Sequence, residues 1–320
     1  LCISSCALLQ KRNPLEIKEE KFNDSLSKNP DNEDILLALA NMHYKQGEWN
    51  EAEKIYERAI SLYPNNVKGY VGLAGVYSND HRVNESKLLF EKILEMNSSC
   101  AKGYAGLGGI YLRDYNTLQA KKMLDRALQL DPNDPVAWRF MGNIHSREGN
   151  ASLAEEAYLK ALKLDPLDAQ TNSYLATLYS AKGKTRKAMK SAQTALLLNP
   201  NIPLPYTVLG DIYLRQKKIQ QAREYFMKAL RVDPTYIGAL GGLGDSYLAE
   251  GNLAQAEFYY NQSIHTDNIY VQGYVKLGKL YEMQGKQEQA RTLFERALQI
   301  YRKSVDAKQS LEAANNPAPD

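Results

Sequence analysis

Small and large apolar residues recur every 34 residues along most of the chain. Eight consecutive units, without insertion or deletion, cover 33–304 and begin at Glu33, Val67, Ala101, Pro135, Ala169, Pro203, Ile237 and Val271. Within each unit, positions 4, 7, 8 and 11 fall on one side of a helix, and positions 20, 24 and 27 on one side of a second helix. The pattern therefore predicts two amphipathic helices per unit, A and B, joined by a short turn.

The residue sizes at these positions indicate how the helices pack. Position 8 is Gly or Ala in every unit, position 20 is Ala in seven units, and position 11 is Tyr in six. Gly occupies position 15 in five units, where a helix end favours positive φ, and Pro occupies position 32 in five units, where it ends helix B. Because neither helix can bury its apolar face alone, the units are predicted to stack on one another.

This pattern resembles that of the tetratricopeptide repeat family, which combines a 34-residue period with small residues at 8, 20 and 27, Tyr at 11 and Pro at 32. The resemblance implies an all-α fold, an α-solenoid of eight helix-turn-helix units that forms a right-handed superhelix. His81, Tyr115 and Lys217 replace the turn Gly in three units. The fifth unit departs most, because it has Asn172 at position 4 and Ala192 at position 24.

The segments that flank the eight units carry further predictions. Residues 14–32 are predicted to contain an extra N-terminal helix, with Pro14 in its first turn. Residues 305–314 continue the helical pattern and are predicted to cap the stack, and 315–320 are predicted to be a disordered tail.

The first residues indicate a lipid anchor. Ile3-Ser4-Ser5-Cys6 matches the lipobox of bacterial lipoproteins, in which the Cys carries lipid and the preceding residues are removed. Residues 1–13 would then be the end of a signal peptide plus a linker, and the protein would lie on the periplasmic side of a bacterial cell envelope. The alternative is a degenerate helix A over residues 1–11, with Cys6 at the small position 8, in a cytoplasmic protein.

The sequence offers no arrangement typical of a catalytic site. It lacks a nucleophile elbow, a zinc-protease helix and a phosphate-binding loop, and the Gly-rich runs 106–109 and 241–244 fall inside helix A. His43 and His145 occupy position 11, which favours packing over metal binding. A net charge of +3 does not indicate nucleic-acid binding. We therefore expect no enzymatic activity, no cofactor, no metal site and no nucleic-acid partner.

The resemblance also implies a binding surface. In tetratricopeptide repeats, positions 2, 5, 9, 12 and 13 of helix A line a concave groove that binds a peptide or helix of a partner. In units 2 to 4 these positions carry basic and amide side chains and no acid; the predicted groove residues are Lys68, Asn79, Lys102, Arg113, Arg139, Asn143 and Arg147. We expect a partner segment with acidic side chains or a free carboxylate. The alternative is a solvated helix face with an accidental charge pattern.

These observations favour a non-catalytic scaffold for protein–protein interaction. With the lipid anchor as its only membrane contact, it would be similar to repeat lipoproteins that assist assembly of pili, secretion channels or exopolysaccharide export. The alternatives are a soluble intracellular adaptor and the accessory domain of an enzyme whose catalytic part lies outside this sequence. The carboxylate clamp of chaperone-binding repeats is not matched beyond Arg139 and Asn143, so a chaperone cofactor is not predicted.

Overall fold

The computed structural model describes residues 14–315 and, within this range, contains seventeen helices and no strand. The helices are α1 (Pro14–Lys28), α2 (Glu33–Gln46), α3 (Trp49–Leu62), α4 (Val67–Asn79), α5 (Val83–Met96), α6 (Ala101–Arg113), α7 (Thr117–Leu130), α8 (Pro135–Arg147), α9 (Ala151–Leu164), α10 (Ala169–Ala181), α11 (Thr185–Leu198), α12 (Pro203–Arg215), α13 (Ile219–Val232), α14 (Ile237–Ala249), α15 (Leu253–Thr266), α16 (Val271–Met283) and α17 (Gln287–Asn315). Helix A of each unit is an even-numbered helix, from α2 to α16, and helix B is the odd-numbered helix that follows it.

The helices pack in the order of the chain. Helix B contacts helix A of its own unit and helix A of the next, as α3 contacts α2 and α4. Neighbouring A helices also contact each other, as α4 contacts α6 and α12 contacts α14. These contacts confirm the predicted all-α architecture of stacked helix-turn-helix units. They also divide the chain after Phe140 into an N-terminal body and a C-terminal body.

The turn between helices A and B has the same backbone conformation in all units where it is described. Gly47 has a φ of 81° and Gly149 a φ of 78°. The three residues that replace Gly at this position also have positive φ, with 60° at His81, 58° at Tyr115 and 60° at Lys217. The turn geometry is therefore kept even where a side chain makes the left-handed conformation less favourable.

The side chain at position 24 of helix B is enclosed by two A helices. A Cβ added at Gly210, position 8 of the same unit, would lie 2.6 Å from the Phe226 ring. A Cβ at Gly242, position 6 of the next unit, would lie 2.3 Å from the same ring. Gly106 likewise accepts Phe90, since an added Cβ would lie 2.3 Å from that ring. The small residue at position 8 was predicted, whereas the glycine at position 6 was not.

Polar contacts join consecutive units beside the turns. In the N-terminal body, Arg82 forms a 2.7 Å ion pair with Glu53 of the preceding unit and lies 3.8 Å from the centroid of the Tyr77 ring. In the C-terminal body, the corresponding contact joins a lysine at position 14 of one unit, Lys182, to Glu155 of the unit before it at 2.8 Å. These contacts fix the stacking of each unit on its neighbour.

The two ends of the described chain are helical. Helix α1 packs on α2, and α17 continues from Gln287 to Asn315 without a break at the end of the eighth unit. The predicted capping segment 305–314 is therefore a continuation of the last helix B. Residues 1–13, with Cys6, and 316–320 lie outside the described residues. None of the helices within the described range is both long and apolar enough to cross a membrane.

Candidate partner-binding face

We call the surface formed by positions 2, 5, 9, 12 and 13 of the A helices the A-helix face. Its accessibility is uneven, because position 5 is buried in α6, α10 and α12, as Ala105, Ser173 and Thr207. In α4 the packing side is formed by buried residues such as Tyr70, Leu73, Ala74 and Tyr77. The face residues are more accessible, and Lys68 and Asn79 are both exposed. The face therefore carries the side chains that a partner could reach without unfolding the array.

Lys68 and Lys102 are the freest cations of the predicted set. Both are exposed, and neither ammonium group makes a hydrogen bond or an ion pair with any side chain that the structure describes. They are the second residues of α4 and α6, which pack side by side. The N-terminal end of a helix also favours negative charge. An anionic group near these two lysines would therefore be stabilised both by the lysine charges and by the helix dipoles.

Arg113 lies on the predicted face but reaches back to the preceding unit. Its Nη1 donates to the main-chain oxygen of Ser78 at 2.6 Å, and its Nη2 lies 3.3 Å from Nδ1 of His81. Arg215 occupies the same position in the C-terminal body and donates to the main-chain oxygen of Ser180 at 3.3 Å. A basic residue at position 13 therefore satisfies carbonyl groups at the end of the preceding A helix, a role that the sequence pattern did not predict.

The two asparagines of the predicted set are also engaged within the array. Asn79 donates through Nδ2 to the hydroxyl of Tyr44 at 2.8 Å and to the main-chain oxygen of Gly75 at 2.9 Å. In the C-terminal body, Oδ1 of Asn143 accepts a hydrogen bond from the hydroxyl of Tyr158 at 2.7 Å. These contacts make both amides part of the packing and reduce what they can offer to a partner backbone.

The remaining two arginines belong to different bodies. Arg139, in the N-terminal body, is half-buried, and its guanidinium lies 5.1 Å from the centroid of the Phe140 ring. Arg147 is exposed at the end of α8, in the C-terminal body. Charge reversal of Arg139 would thus disturb packing as well as the surface, which makes the two lysines the cleaner test of binding.

The A-helix face of the C-terminal body has a different chemical character. Lys276 forms a 2.6 Å ion pair with Oδ2 of Asp245, whose Oδ1 accepts a hydrogen bond from the hydroxyl of Tyr260 at 2.8 Å. Asp245 occupies position 9, one of the predicted groove positions, whereas Lys276 occupies position 6, which was not among them. The signal was present: position 6 is Gly, aromatic or aliphatic in other units, so a lysine there indicates a polar contact.

Asp211 lies on the same face without a direct partner. Its carboxylate makes no hydrogen bond or ion pair with the residues that the structure describes. Although its side chain reaches solvent, desolvation by the surrounding protein raises the pKa of Asp211 to about 6, with Asp245 adding to the shift and Lys276 and Arg215 opposing it. This surface therefore holds a carboxylate that lacks a contacting counter-charge.

The described residues offer no arrangement for metal chemistry. No group of three His, Cys, Asp or Glu side chains within 14–315 could hold a metal ion. The features of the A-helix face are hydrogen bonding, charge and aromatic surface, which are the means of protein recognition.

Sequence comparison places the chain in a family. A family model described as the C-terminal domain of cilia and flagella-associated protein 70 matches residues 3–233. The chain belongs to this family. Two tetratricopeptide repeat models match residues 213–268 and 271–304, so the cilia and flagella-associated protein 70 C-terminal domain family is joined here to further repeats of the predicted type. No curated protein matches the sequence significantly.

Solved structures show the same solenoid fold. A chain of the APC/C hetero-tetramer Cut9–Hcn1 superposes with a TM-score of 0.79 at 18% identity, over 95% of this chain and 60% of that one. This chain thus spans 60% of the length of that protein. PilF of Pseudomonas aeruginosa has a TM-score of 0.50 at 24% identity, over 67% of this chain and 98% of its own. PilW, a type IV pilus biogenesis factor, has a TM-score of 0.51 at 19% identity, over 60% and 90%.

Proposed function

We propose that the chain is a protein-binding scaffold whose N-terminal body captures an acidic partner segment on its A-helix face. The observation that carries the proposal is the pair of unengaged lysines, Lys68 and Lys102, on adjacent helix N-termini. Tetratricopeptide repeat domains generally bind proteins, and this face presents cations without an acidic residue among the predicted groove positions of units 2 to 4. A carboxylate-bearing segment fits this surface by charge and by helix dipole.

The binding strength expected from such a face is moderate. Exposed charge pairs contribute up to about 1 kcal/mol each and are screened by salt. Several weak contacts, with apolar surface between them, should together give a dissociation constant in the micromolar range. This corresponds to a binding free energy of about −8 kcal/mol. Affinity should therefore fall as salt concentration rises.

A charge-reversal variant tests this surface directly. The probe is a nine-residue peptide of Gly-Ser-Glu repeats with a neutral fluorophore, and its Gln counterpart reports binding that is independent of charge. Lys68→Glu with Lys102→Glu should weaken binding of the Glu peptide at least roughly tenfold in fluorescence anisotropy, because each change turns an attraction into a repulsion. The helical circular dichroism signal should stay unchanged, since both side chains are exposed.

The matched control changes net charge equally on the opposite layer of the same body. Lys121 and Lys122 are exposed on α7, a B helix. Lys121→Glu with Lys122→Glu should leave binding of the Glu peptide within about twofold of the wild type. Equal losses in the two double variants would show that only net charge matters and would contradict the assignment of the face.

The finer proposal is that the scaffold is tethered to a bacterial membrane through lipid on Cys6. The lipobox match Ile3-Ser4-Ser5-Cys6 supports it, and acyl chains stabilise membrane binding by roughly 0.8 kcal/mol per buried CH₂. Expressed from its complete native reading frame, the wild type should fractionate with membranes, and Cys6→Ala should not. Cys2→Ala is the matched control and should behave as the wild type. Mass spectrometry that finds residues 1–5 on the mature protein would exclude this tether.

A soluble intracellular adaptor is the second candidate, and one observation favours it. The family match begins at residue 3, so it includes the lipobox residues and treats them as part of the domain. On this proposal, Cys6 fills the small position of a degenerate helix A, and an assembly of cilia or flagella is the setting that the family's name suggests. PilF and PilW share only the fold with this chain, so a role in pilus assembly rests on the lipobox alone.

A further inference from the structure

We propose that helix α17 binds an amphipathic helix of a partner protein, which lies on Arg291, Phe294 and Leu298. The partner helix would carry a glycine over the Phe294 ring and an acidic residue about two turns further along, beside Arg291. The inference rests on the proposed function only in taking the chain to be a protein-binding scaffold. Its surface lies on a B helix of the C-terminal body, whereas Lys68 and Lys102 lie on A helices of the N-terminal body.

Helix α17 repeats the packing residues of α13. Both helices have Ala, Arg, Phe, Ala and Leu at positions 20, 21, 24, 27 and 28 of their units, which are Ala222, Arg223, Phe226, Ala229 and Leu230 in α13 and Ala290, Arg291, Phe294, Ala297 and Leu298 in α17. The phenylalanine also packs alike on helix A of its own unit. A Cβ added at Gly210 would lie 2.6 Å from the Phe226 ring, and one added at Gly278 would lie 2.5 Å from the Phe294 ring. The helix that covers α13 therefore indicates what α17 can accept.

Helix α14 covers this surface of α13. A Cβ added at Gly242 of α14 would lie 2.3 Å from the Phe226 ring, so the two helices approach closely at a glycine. The Arg223 guanidinium lies 4.6 Å from the centroid of the Tyr247 ring and forms an ion pair with Glu250, the residue after α14. A helix that fits this surface thus combines a glycine, an aromatic residue and a carboxylate at fixed spacing.

The same surface is open on α17. Helix α16 is the only helix within residues 14–315 that packs extensively on α17, and α17 continues as one helix to the end of that range. Leu298 is 46% exposed and Phe294 is half-buried, whereas Phe226 is fully buried. The Arg291 side chain is 73% exposed, against 13% for Arg223. The positions that α14 fills on α13 are therefore accessible to a helix from outside.

Arg291 makes this surface selective for charge. Its Nε donates to Oε1 of Glu295 at 2.9 Å, and both side chains are largely exposed. An exposed pair of this kind is weak, because water competes for both charges. Since Arg223 holds Glu250 at the end of α14, Arg291 would hold a carboxylate at the end of an incoming helix. A basic residue at that place would be repelled.

A small apolar ligand fits this surface less well than a helix. The groove beside α17 has a volume of about 320 Å³, and its lining includes the charged side chains of Glu282, Arg291 and Glu295 as well as Phe294 and Leu298. A helix can cover the apolar centre and leave the charged rim in water, which is the usual arrangement of a protein interface. The surface therefore favours a polypeptide partner.

The probe for this surface is a peptide with the sequence of residues 237–250, labelled with a fluorophore. A hydrocarbon link between the positions of Gly241 and Asp245 holds the peptide helical. In the chain these two positions contact Lys276 of the following unit, so the link leaves the residues that face α13 unchanged. Fluorescence anisotropy with the full chain should show saturable binding of the peptide.

Substitutions on both sides test the apolar contact. Leu298→Glu should weaken binding at least about tenfold, because it places a charge in the contact. Gln299→Glu is the matched control: it adds the same charge at the next exposed residue, on another side of the helix, and should stay within about twofold of the wild type. In the peptide, Gly242→Leu should abolish binding. Gly238→Leu should not, since an added Cβ at that position lies nearest to Tyr236, which the peptide lacks.

An exchange of charges tests the orientation of the bound helix. Arg291→Glu should weaken binding of the unchanged peptide about fivefold, and the peptide with Glu250→Arg should restore it, because the ion pair forms again with its charges exchanged. Arg296→Glu is the matched control, since it makes the same charge change on another side of α17 and should show no such restoration. Failure of the wild type to bind the peptide, or failure of Glu250→Arg to restore binding to Arg291→Glu, would overturn the proposal.

Sedimentation of the chain tests the competing occupant, a second copy. The wild type should be a monomer at the concentrations used for binding. A dimer that Leu298→Glu dissociates would assign this surface to a second copy and contradict the partner helix.

The outcomes also distinguish failure of this proposal from failure of the proposed function. Lys68→Glu with Lys102→Glu should bind the helical peptide as the wild type does, and Leu298→Glu should still bind the Glu peptide. Loss of the helical peptide in both the lysine variant and Leu298→Glu would overturn the assignment to α17.

Discussion

Gly142→Leu is expected to destabilise the C-terminal body by at least about 3 kcal/mol, at the upper end of the cost of overpacking a core. A Cβ at this position would already lie 2.4 Å from Cε1 of Tyr158. The Tyr158 ring cannot move away easily, because its hydroxyl is hydrogen-bonded to Asn143 at 2.7 Å and its ring stacks on Tyr174 at 6.0 Å. Leucine must therefore separate α8 from α9. Chemical denaturation followed by circular dichroism measures the loss.

Gly149 provides the control for this prediction, because it lies in a turn and not in a close contact between helices. Gly149 has a φ of 78°, and nothing lies within 4 Å of an added Cβ. Gly149→Ala should therefore cost only about 1–2 kcal/mol, the penalty of a left-handed conformation without any steric contact. If Gly142→Leu cost no more than Gly149→Ala, the close contact between helices A and B would not be limiting.

The fold could be predicted from the sequence because the size pattern reports helix faces directly. Gly142 at position 8 and Tyr158 at position 24 were assigned to facing surfaces from spacing alone, and the structure places them in contact. The glycine at position 6 escaped prediction, since its reason lies in another unit. Gly106 is small because Phe90 of the preceding helix B covers it. A helical wheel contains no information about such a neighbour.

The candidate site could likewise be predicted from the sequence only in part. The exposure of Lys68 and Lys102 follows from their place on the wheel, and the structure agrees. Arg113 lies on the predicted side too, but its long side chain turns back to Ser78, which the wheel cannot show. Lys276 lies at position 6, for which the sequence pattern made no prediction, and only the structure shows that it pairs with Asp245.

Phe226→Ala should destabilise the C-terminal body by about 3–5 kcal/mol, since it empties a fully buried site. The ring fills the space between Gly210 and Gly242, at 2.6 and 2.3 Å from the Cβ positions that these glycines lack. The resulting cavity is bordered by glycine backbone on two sides and cannot be closed by rotation of a neighbouring side chain. Urea denaturation measures the loss of stability. The dependence of the unfolding free energy on urea concentration should stay unchanged if the native state remains compact.

The same contact predicts that the effect of Gly242→Ala on stability changes sign when Phe226 is replaced by Ala. Gly242→Ala alone should destabilise by about 1–3 kcal/mol, because its methyl group overlaps the Phe226 ring. In the Phe226→Ala background the methyl group enters the cavity, so it should stabilise by up to about 1 kcal/mol. The fifth unit provides a natural precedent: position 24 is the small Ala192, position 6 of the next unit is Val208, and both are buried in one core cluster. Additive effects of Gly242→Ala and Phe226→Ala would show that positions 24 and 6 do not share one packing site.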